Sequence, residues 1–499
     1  MDTIIIKNNS LIPMGKIPQL EYERFREVNT GLLAGSGNTH CVQYFGVPHK
    51  GKIRLIYCIA DDDLQAVHVS SSSVRESDRL SSFSALHFAF EKFEREIHEN
   101  FGIEYSGHPW LKPLRYGPGR SDRLQVMDNY PFFSSESEEL HEVGVGPIHA
   151  GIIEPGHFRF ICNGEQILHL EIQLGYQHRG IEALFLEKKK LLQRATLAES
   201  IAGDTAAGHA TAFANLWEGL CRSAPAPDLM FQRTMALELE RVAMHTGDLS
   251  ALCTDIAYQL GSSVFGRLRT PVINFFQIWC GNRLAKGLIR PGKTNYDFTG
   301  EHAGQLVELL SAYEPDFDEM HKKLFRSSSA LARLEKTGVV KDKNARLMGL
   351  VGMAARSCNI KRDVRSSHPH DFYGWLDHHP ILKHHGDVYS RAQIRKEEIK
   401  QSIAYLRSMV KDMPSPAKKR EDLKSPAPNS FILSLVEGWR GEISHCAVTG
   451  DKGDVTAYKV KDPSFHNWLA LALAVRNNEI SDFPVCNKSF NLSYCGHDL

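Results

Sequence analysis

Two segments of the chain carry small and polar residues that are typical of a buried redox site. The first, LAESIAGDTAAGHATAFANL at 197–216, contains a single imidazole, His209. The second, DFPVCNKSFNLSYCGHDL at 482–499, concentrates Asp, Asn, Ser and His. A thiolate-bound metal usually takes its ligands from C-x-x-C pairs. The ten cysteines of the chain form no such pair, so both segments lack almost all the ligands that such a metal needs.

Composition excludes several classes of function. The 499 residues argue for two or more domains, and 59 basic against 59 acidic residues predict no nucleic-acid partner. The longest apolar stretch, WLALALAV at 468–475, is too short to cross a bilayer, and the N-terminus lacks the cationic start of a signal peptide. We therefore expect a cytoplasmic protein with reduced cysteines. Eight of these are interpreted as buried hydrophobic residues, and only Cys486 and Cys495 raise a functional question.

Residues 1–125 are predicted to form a small α+β domain. KIRLIYCIA at 52–60 is apolar and β-branched, which indicates a strand. The run from 80 to 98 has apolar residues at helical spacing and predicts an amphipathic helix that ends near Asn100 and Gly102.

A linker is predicted at 126–142, because the acidic stretch 128–142 has no hydrophobic period and contains Pro131. The second domain then covers 143–499. Its opening part, FRFICNGEQILHLEIQL, alternates around Asn163-Gly164 and predicts a β-hairpin.

The rest of the second domain is predicted to be mainly helical. Helical patterns cover 236–261 and 302–325, and the Pro-rich, charged segment 413–430 indicates an exposed loop. Strands return in FILSLVEGWRGEISHCAV and VTAYKVKD. The fold class is therefore α+β, with a small α+β N-terminal domain and a large, mainly α-helical domain that carries an antiparallel β-hairpin sheet.

Several stretches taken together resemble one family, which unites the large subunits of [NiFe]-hydrogenases with the matching peripheral-arm subunit of complex I. The motifs that carry this resemblance are GPIHAGIIEPGHFRF (146–160), GYQHRGIE (175–182), ELERVAMHTGDL (238–249), NRLAKGLIRPG (282–292), RSCNIKRDVR (356–365) and VEGWRGE (436–442). The first domain is similar to the smaller complex I subunit through EREIHENFGIEYSGHPWLKPL (94–114). The fusion of the two resembles the membrane-bound, formate-hydrogenlyase-type branch.

The resemblance implies a nickel–iron centre held by two C-x-x-C pairs. The first pair of positions falls on Ala202 and Thr205, and the second falls at about Leu492 and Cys495. One thiol does not hold a dinuclear centre. We therefore predict no metal on this chain and no hydrogenase activity of the usual kind, with an unusual nickel centre as the alternative.

Quinone is a second cofactor that the resemblance implies. Complex I subunits place a Tyr ahead of the degenerate first-pair region and a His on the opposing hairpin turn, which both supply protons to the quinone. The hairpin here offers His149 and His157, but residues 186–210 contain no Tyr. His149 has a second interpretation as a turn or capping residue.

Three residues are predicted to relay protons or to line a cavity. Glu154 matches a proton-relaying Glu of the hydrogenase branch, a role that burial with a raised pKa supports; the alternative is a surface carboxylate. His157 follows on the same turn. Asp204 lies in the former ligand loop, where it would hydrogen-bond a polar molecule or water.

His178 and Arg179 resemble residues that face an adjoining iron–sulfur subunit. A positive group beside a cluster stabilises its reduced state and raises its potential. The alternative is that Arg179 only pairs with Glu182. No set of cysteines has the spacing of a cluster site, so the cluster is assigned to the partner subunit.

Asp363 and Arg365 are predicted to form a buried ion pair that faces the old cavity, with a purely structural salt bridge as the alternative. The family's C-terminus threads into the centre of the subunit. The resemblance therefore implies that the polar residues of 482–499 are buried and hydrogen-bonded, whereas the composition alone also permits an exposed tail.

The combined prediction is a large subunit of a membrane-bound, complex I-like, hydrogenase-related oxidoreductase complex. It packs on an iron–sulfur small subunit and works with membrane ion-translocating subunits at the cytoplasmic face of the inner membrane. The rivals are a quinone-binding subunit of the NADH-dehydrogenase type and a coupling scaffold without chemistry. Substitution of Glu154 and His157 would cripple electron transfer in a catalytic subunit and would barely matter in a scaffold.

Overall fold

The computed structural model describes residues 2–35, 37–417 and 422–499. The strands are β1 (Ile4–Ile6), β2 (Ile12–Pro13), β3 (Gln19–Leu20), β4 (Thr39–His49), β5 (Lys52–Asp61), β6 (Ala66–Val74), β7 (Arg79–Ser81), β8 (Glu104–Ser106), β9 (His141–Val145), β10 (His157–Asn163), β11 (Gln166–Gln173), β12 (Ser430–Glu437), β13 (Glu442–Thr449) and β14 (Val455–Lys461). The α-helices are α1 (Tyr22–Gly35), α2 (Glu91–Phe101), α3 (Ile181–Glu187), α4 (Leu191–Ala198), α5 (Ala206–Leu220), α6 (Pro227–Asp255), α7 (Gln259–Cys280), α8 (Gly300–Leu324), α9 (Ser328–Leu334), α10 (Asp342–Leu347), α11 (Gly352–Ser357), α12 (Val364–Ser367), α13 (Val388–Lys411), α14 (Ser464–Ala474), α15 (Phe483–Phe490) and α16 (Tyr494–Asp498). These small sheets and long helices confirm the predicted α+β class.

The N-terminal sheet has the order β1-β6-β5-β4, and β3 pairs with β6 next to β1, on the side of β6 that faces away from β5. Its strand β5 contains the predicted KIRLIYCIA. Successive side chains of a strand point to opposite faces. Leu55 and Tyr57 accordingly pack in a core with α1 and α2, whereas Ile56 and Cys58 pack against strands from the far end of the chain. Burial on both faces explains why this strand is apolar from Leu55 to Ala60.

The helix predicted for 80–98 is wrong in its first half. Helix α2 begins only at Glu91 and ends at Gly102, which has a φ of +73°. Leu80 lies in β7 instead. The backbone N–H groups of Phe83 and Ser84 and the hydroxyls of the neighbouring serines donate to the buried Glu94 carboxylate. Such local side-chain bonds compete with helix formation.

A four-stranded sheet of order β14-β13-β12-β2 joins the two ends of the chain. Its strands β12, β13 and β14 confirm the strands predicted near the C-terminus. The fourth strand comes from the N-terminus, where Pro13 and Ile12 pair with Ser430 and Phe431. The predicted first domain therefore contributes a strand to the sheet of the second, and the proposed boundaries at 125 and 142 stay predictions.

The predicted hairpin is present as β10 and β11, and β9 extends it to three strands. The connection ahead of β9 is irregular apart from a short 3-10 turn at Met127–Asn129. The turn between β9 and β10, residues 146–156, carries the motif GPIHAGIIEPG and projects Ile148 and Ile152 into solvent, each 83% exposed.

The helices pack around α6, whose residues are buried over most of its length. The helix predicted for 236–261 is in fact interrupted: α6 ends at Asp255, and Ala257 has a φ of +57° before α7 begins. The turn is tight because a Cβ on Gly261 would lie 2.5 Å from Cys253 Sγ. The helix predicted for 302–325 is confirmed as α8.

The C-terminal segment is buried, as the resemblance implied. His497 and Asp498 are 1% and 0% exposed, whereas Asp482 and Asn491 are half-buried. Of the loop predicted for 413–430, residues 418–421 lie outside the described part. All ten cysteines are buried and free. Within the described residues, no helix combines the length and apolarity that crossing a membrane requires.

Candidate functional site

The loop before α5 and the turn between β12 and β13 meet in an ion pair between a buried arginine and a partly exposed carboxylate. Arg440 donates through Nη1 and Nη2 to the two carboxylate oxygens of Asp204, both at 2.6 Å, and through Nη1 to Thr205 Oγ1 at 3.0 Å. Trp439 stacks under the guanidinium and donates its indole N–H to the Asp204 carbonyl. Burial acts to raise the pKa of Asp204, but the charge and hydrogen bonds of Arg440 bring it below its usual value. Asp204 was predicted as a site residue, and Arg440 was not.

The same region tests whether these residues fit a nickel–iron centre. Ala202 offers no donor atom, and the Thr205 hydroxyl is engaged by Arg440. Cys495 is buried and lies 3.4 Å from Ser493 Oγ. Burial raises the pKa of its thiol to about 11, which disfavours the thiolate that binds metals. Among the described residues no group of three His, Cys, Asp or Glu side chains is arranged to hold a metal ion, and the donor set does not fit the centre.

The hairpin turn places Glu154 against the C-terminal helix. Its carboxylate accepts from the backbone N–H of Tyr494 and of Cys495 at 3.3 and 3.5 Å, and from the Gln177 amide at 3.2 Å. His149 stays within the turn, where its Nε2 lies 2.8 Å from the Gly156 carbonyl oxygen. This contact agrees with the interpretation of His149 as a turn residue.

His157 begins β10 and is half-buried. Its ring packs edge-on against Phe132 at 5.3 Å, and its buried Nδ1 has no hydrogen-bond partner among the described residues. The His157 ring points toward Phe132, in the segment before β9, whereas Glu154 points toward α16. The two side chains therefore do not share a hydrogen-bonding partner, although they are close in sequence.

Tyr494 is a residue that the sequence interpretation missed. A Cβ on Gly156 would lie 2.7 Å from its ring, which shows how closely the ring covers the hairpin turn. A Tyr was expected only within residues 186–210, ahead of the first ligand loop. The sequence did contain a signal for this contact. The motif GPIHAGIIEPG marks the hairpin turn, and the expected burial of the C-terminal segment brings a tyrosine of that segment to the turn.

His178 and Arg179 are anchored by the C-terminal helix. His178 Nδ1 lies 2.8 Å from the Asp498 carbonyl oxygen. Arg179 is exposed, yet it donates to the carbonyls of Ser200, Ile201 and Cys495 at 2.6, 2.8 and 3.1 Å. The alternative pairing of Arg179 with Glu182 is wrong, because Glu182 pairs with Lys459 instead.

Asp363 and Arg365 form the predicted buried ion pair, with Nη2 and Oδ2 2.7 Å apart. They belong to a charge network between α6 and α13. Its centre is Glu398, which accepts from Arg356 at 2.6 Å and lies 2.8 Å from His245 Nε2. Burial opposes ionisation of Glu398, but the arginines and His245 hold its pKa well below the usual value.

The structure thus gathers half of the eight predicted residues around the C-terminal helix. Glu154, His178 and Arg179 contact α16 directly, and Asp204 is tied to the same region because Arg440 also donates to the Asn491 carbonyl. Asp363 and Arg365 lie in the separate charge network, and His149 and His157 stay at the hairpin turn. Chemically, the first group offers two carboxylates, one imidazole and one exposed cation.

Two family models match separate parts of the chain. The family described as respiratory-chain NADH dehydrogenase, 30 Kd subunit, matches residues 19–119. The family described as respiratory-chain NADH dehydrogenase, 49 Kd subunit, matches residues 261–430.

Several known proteins are similar to this chain over most of its length. Hydrogenase-4 component G of Escherichia coli is 26% identical over 420 residues, which cover 80% of this chain and 72% of that protein. The NADH-quinone oxidoreductase C/D protein of Phocaeicola vulgatus is 26% identical over 467 residues, which cover 86% and 89%. Membrane-bound hydrogenase subunit alpha of Pyrococcus furiosus is 27% identical over 370 residues, which cover 70% and 85%.

Proposed function

The chain is a complex I-type oxidoreductase subunit that fuses a 30-kDa-like with a 49-kDa-like domain, and on this premise we propose that it serves without a nickel–iron centre of its own. In this role it packs on an iron–sulfur small subunit and couples electron transfer to ion translocation by membrane partners. The names of its relatives, a membrane-bound hydrogenase subunit and an NADH-quinone oxidoreductase subunit, support this class of complex.

The observation that carries the proposal is the Asp204–Arg440 ion pair. It occupies the loop where the family places its first thiolate pair, and Arg440 binds Thr205 in the place of a metal ligand. A carboxylate already paired with a guanidinium is a poor ligand for a soft metal. The site therefore holds internal charge pairs in the place of a thiolate cage.

The test is metal analysis of the intact complex, purified from the organism's membranes. Iron from a partner subunit without nickel supports the proposal. Nickel near one per chain would overturn it and would restore hydrogen chemistry at this site.

The exposed, anchored Arg179 supports contact with an iron–sulfur partner. A cation near a cluster raises its reduction potential, so Arg179→Gln is expected to lower the potential of the adjoining cluster in a redox titration followed by electron paramagnetic resonance. Arg179→Lys keeps the charge and should restore most of the potential. An unchanged potential in Arg179→Gln would place the cluster elsewhere.

The role of Glu154 separates a catalytic subunit from a scaffold. In a catalytic subunit, Glu154→Gln is expected to slow electron transfer through the purified complex at least tenfold, because the amide does not exchange a proton. Glu142→Gln is the matched control, since Glu142 is an exposed hairpin carboxylate paired with Arg159. Equal rates in the two variants would favour the scaffold.

A further inference from the structure

Four buried side chains outside the predicted site form one continuous hydrogen-bonded chain. Asp462 Oδ2 lies 3.1 Å from His209 Nε2, and His209 Nδ1 lies 3.1 Å from His445 Nε2. His445 Nδ1 in turn lies 2.8 Å from the Tyr458 hydroxyl. Both imidazoles and Asp462 are at most 1% exposed, and Tyr458 is 5% exposed. The lone His209 of the sequence is therefore the second member of a four-residue chain.

The two ends of the chain lie in different surroundings. Asp462 also accepts from the Ser464 N–H at 2.8 Å, and the charges that face it are Arg440 and Asp204. The Tyr458 ring stacks on Phe185 at 4.0 Å. The titratable groups that face Tyr458 are Arg194, Glu182 and the Cys446 thiol.

The donors and acceptors of this chain follow from counting protons. A neutral imidazole has one N–H and one bare nitrogen. With Asp462 ionised, His209 must place its N–H on Nε2, so His445 must donate from Nε2 to the bare Nδ1 of His209. The bare Nδ1 of His445 then accepts from the Tyr458 hydroxyl. Every bond is satisfied, and all three point toward Asp462.

Adding one proton gives a second arrangement that is equally complete within the imidazole pair. His209 then carries N–H groups on both nitrogens and donates to Asp462 and to His445 Nε2. His445 must shift its single N–H to Nδ1 and donate to the Tyr458 oxygen. The two imidazoles now carry three N–H groups in place of two. The net charge of the four side chains passes from negative to neutral without any side-chain movement.

We propose that Asp462, His209, His445 and Tyr458 form an internal proton-loading site that takes up one proton at His209. The proton arrives from the Tyr458 side: Tyr458 passes its hydroxyl proton to His445 Nδ1 and takes up the incoming one, and His445 passes its Nε2 proton to His209 Nδ1. The site goes beyond the proposed function, because it concerns proton binding by the chain itself and needs no electron transfer. In a subunit that passes electrons nearby, such a site would compensate added negative charge with a proton.

The electrostatics support this assignment of roles. Burial acts to raise the pKa of Asp462, but the hydrogen bond from His209 and the charges of His209 and Arg440 bring it below its usual value. Burial, followed by the neighbouring His209, holds the pKa of His445 well below its usual value. Burial raises the pKa of Tyr458 far above its usual value. His209 is therefore the base of the chain that lies between a fixed anion and a neutral imidazole.

The test is a pH titration of the full-length chain labelled with ¹³C and ¹⁵N in histidine, followed by nuclear magnetic resonance. The expected signature is that His445 switches tautomer, without becoming charged, at the same pH at which His209 gains its second N–H. Asp462→Asn should lower the midpoint of this transition by at least one pH unit, a tenfold loss of proton affinity, because it removes the adjacent negative charge. The resonances are assigned in the wild-type protein, from through-space contacts between His445 and the Tyr458 ring and between His445 and His209.

Tyr405→Phe is the matched control, since it removes a hydrogen bond of the same kind between Tyr405 and His378 outside the chain. It should leave the His209 and His445 signals unchanged. If His445 keeps one tautomer throughout the range in which the wild-type protein stays folded, or if His209 does not titrate there, the proposal is wrong. The wild-type tautomer switch decides the question even where Asp462→Asn fails to fold.

Discussion

The Asp204–Arg440 pair predicts which of two substitutions lowers the stability of the protein more. Asp204→Asn leaves Arg440, whose side chain is 4% exposed, as a buried cation that has lost its counter-charge and one of its two hydrogen bonds of 2.6 Å, because an amide has a single acceptor oxygen. Removing one partner of a buried pair costs roughly 3–5 kcal/mol. Because the Asp204 side chain is 36% exposed and partly screened by solvent, the low end applies, about 3 kcal/mol.

Arg440→Gln should cost less, about 1–2 kcal/mol. In that variant the remaining charge is the Asp204 carboxylate, which water can reach and solvate. The two substitutions break the same ion pair, yet the structure makes the loss of the exposed partner the more damaging change.

Urea unfolding of the full-length chain measures this difference. Exchange at 491–499 would not separate the variants, because Arg440→Gln itself removes the bond to the Asn491 carbonyl. Asp204→Asn is expected to lower the free energy of unfolding by about 3 kcal/mol, and Arg440→Gln by about 1–2 kcal/mol. Arg346→Gln, which breaks the exposed pair with Asp342, is the control and should lower it by less than about 1 kcal/mol. If Arg440→Gln costs as much as Asp204→Asn, the reasoning about solvation is refuted.

Three further predictions concern the core. Burial raises the pKa of Glu240 to about 8. The stabilising effect of the protonated carboxyl is therefore complete below pH ~4.5 and is lost as pH rises through 8. Glu240→Gln should gain stability over wild type in urea unfolding from pH 6 to 9, and a difference in the free energy of unfolding that stays constant with pH would contradict this. Gly352→Ala should lower the free energy of unfolding by more than about 3 kcal/mol, because its Cβ would lie 2.2 Å from the Arg440 carbonyl oxygen; Gly304→Ala, in open space on α8, should raise it by up to about 1 kcal/mol in thermal unfolding. Glu398→Gln should lower the free energy of unfolding by roughly 3–5 kcal/mol in thermal unfolding, because it leaves Arg356 without its nearest carboxylate. A cost below about 1 kcal/mol would show that the remaining charges of the network rearrange to compensate.

The sequence was sufficient for those elements whose residue pattern matches one secondary structure over the whole segment. Strand β5 was predicted from a run of apolar and β-branched residues, and helix α8 from its helical pattern. The first half of the 80–98 helix failed because Glu94 collects four hydrogen bonds from the serine-rich turn at 82–84. Helical spacing was present there, but local polar bonds determined the backbone.

The candidate site was predictable only as separate segments. The polar loop at Asp204 and the terminal segment were both identified, but Arg440 lies 236 residues from Asp204. The partner of His209 is similarly distant, at 253 residues for Asp462. Spacing within a motif gives no information about such pairs, because they form only when the sheet β12–β14 is packed on α5.

The N-terminal segment has a consequence for how the two halves of the chain are held together. Asn8 exchanges hydrogen bonds with the backbone of Leu435, and buried His40 and Glu442, 402 residues apart, are bound at 2.7 Å. The covalent connection at 126–142 thus raises the effective concentration of two surfaces that already bind each other. Cleavage of that connection should leave the fragments associated, so the fusion acts on assembly rate and stoichiometry more than on the architecture of the finished subunit.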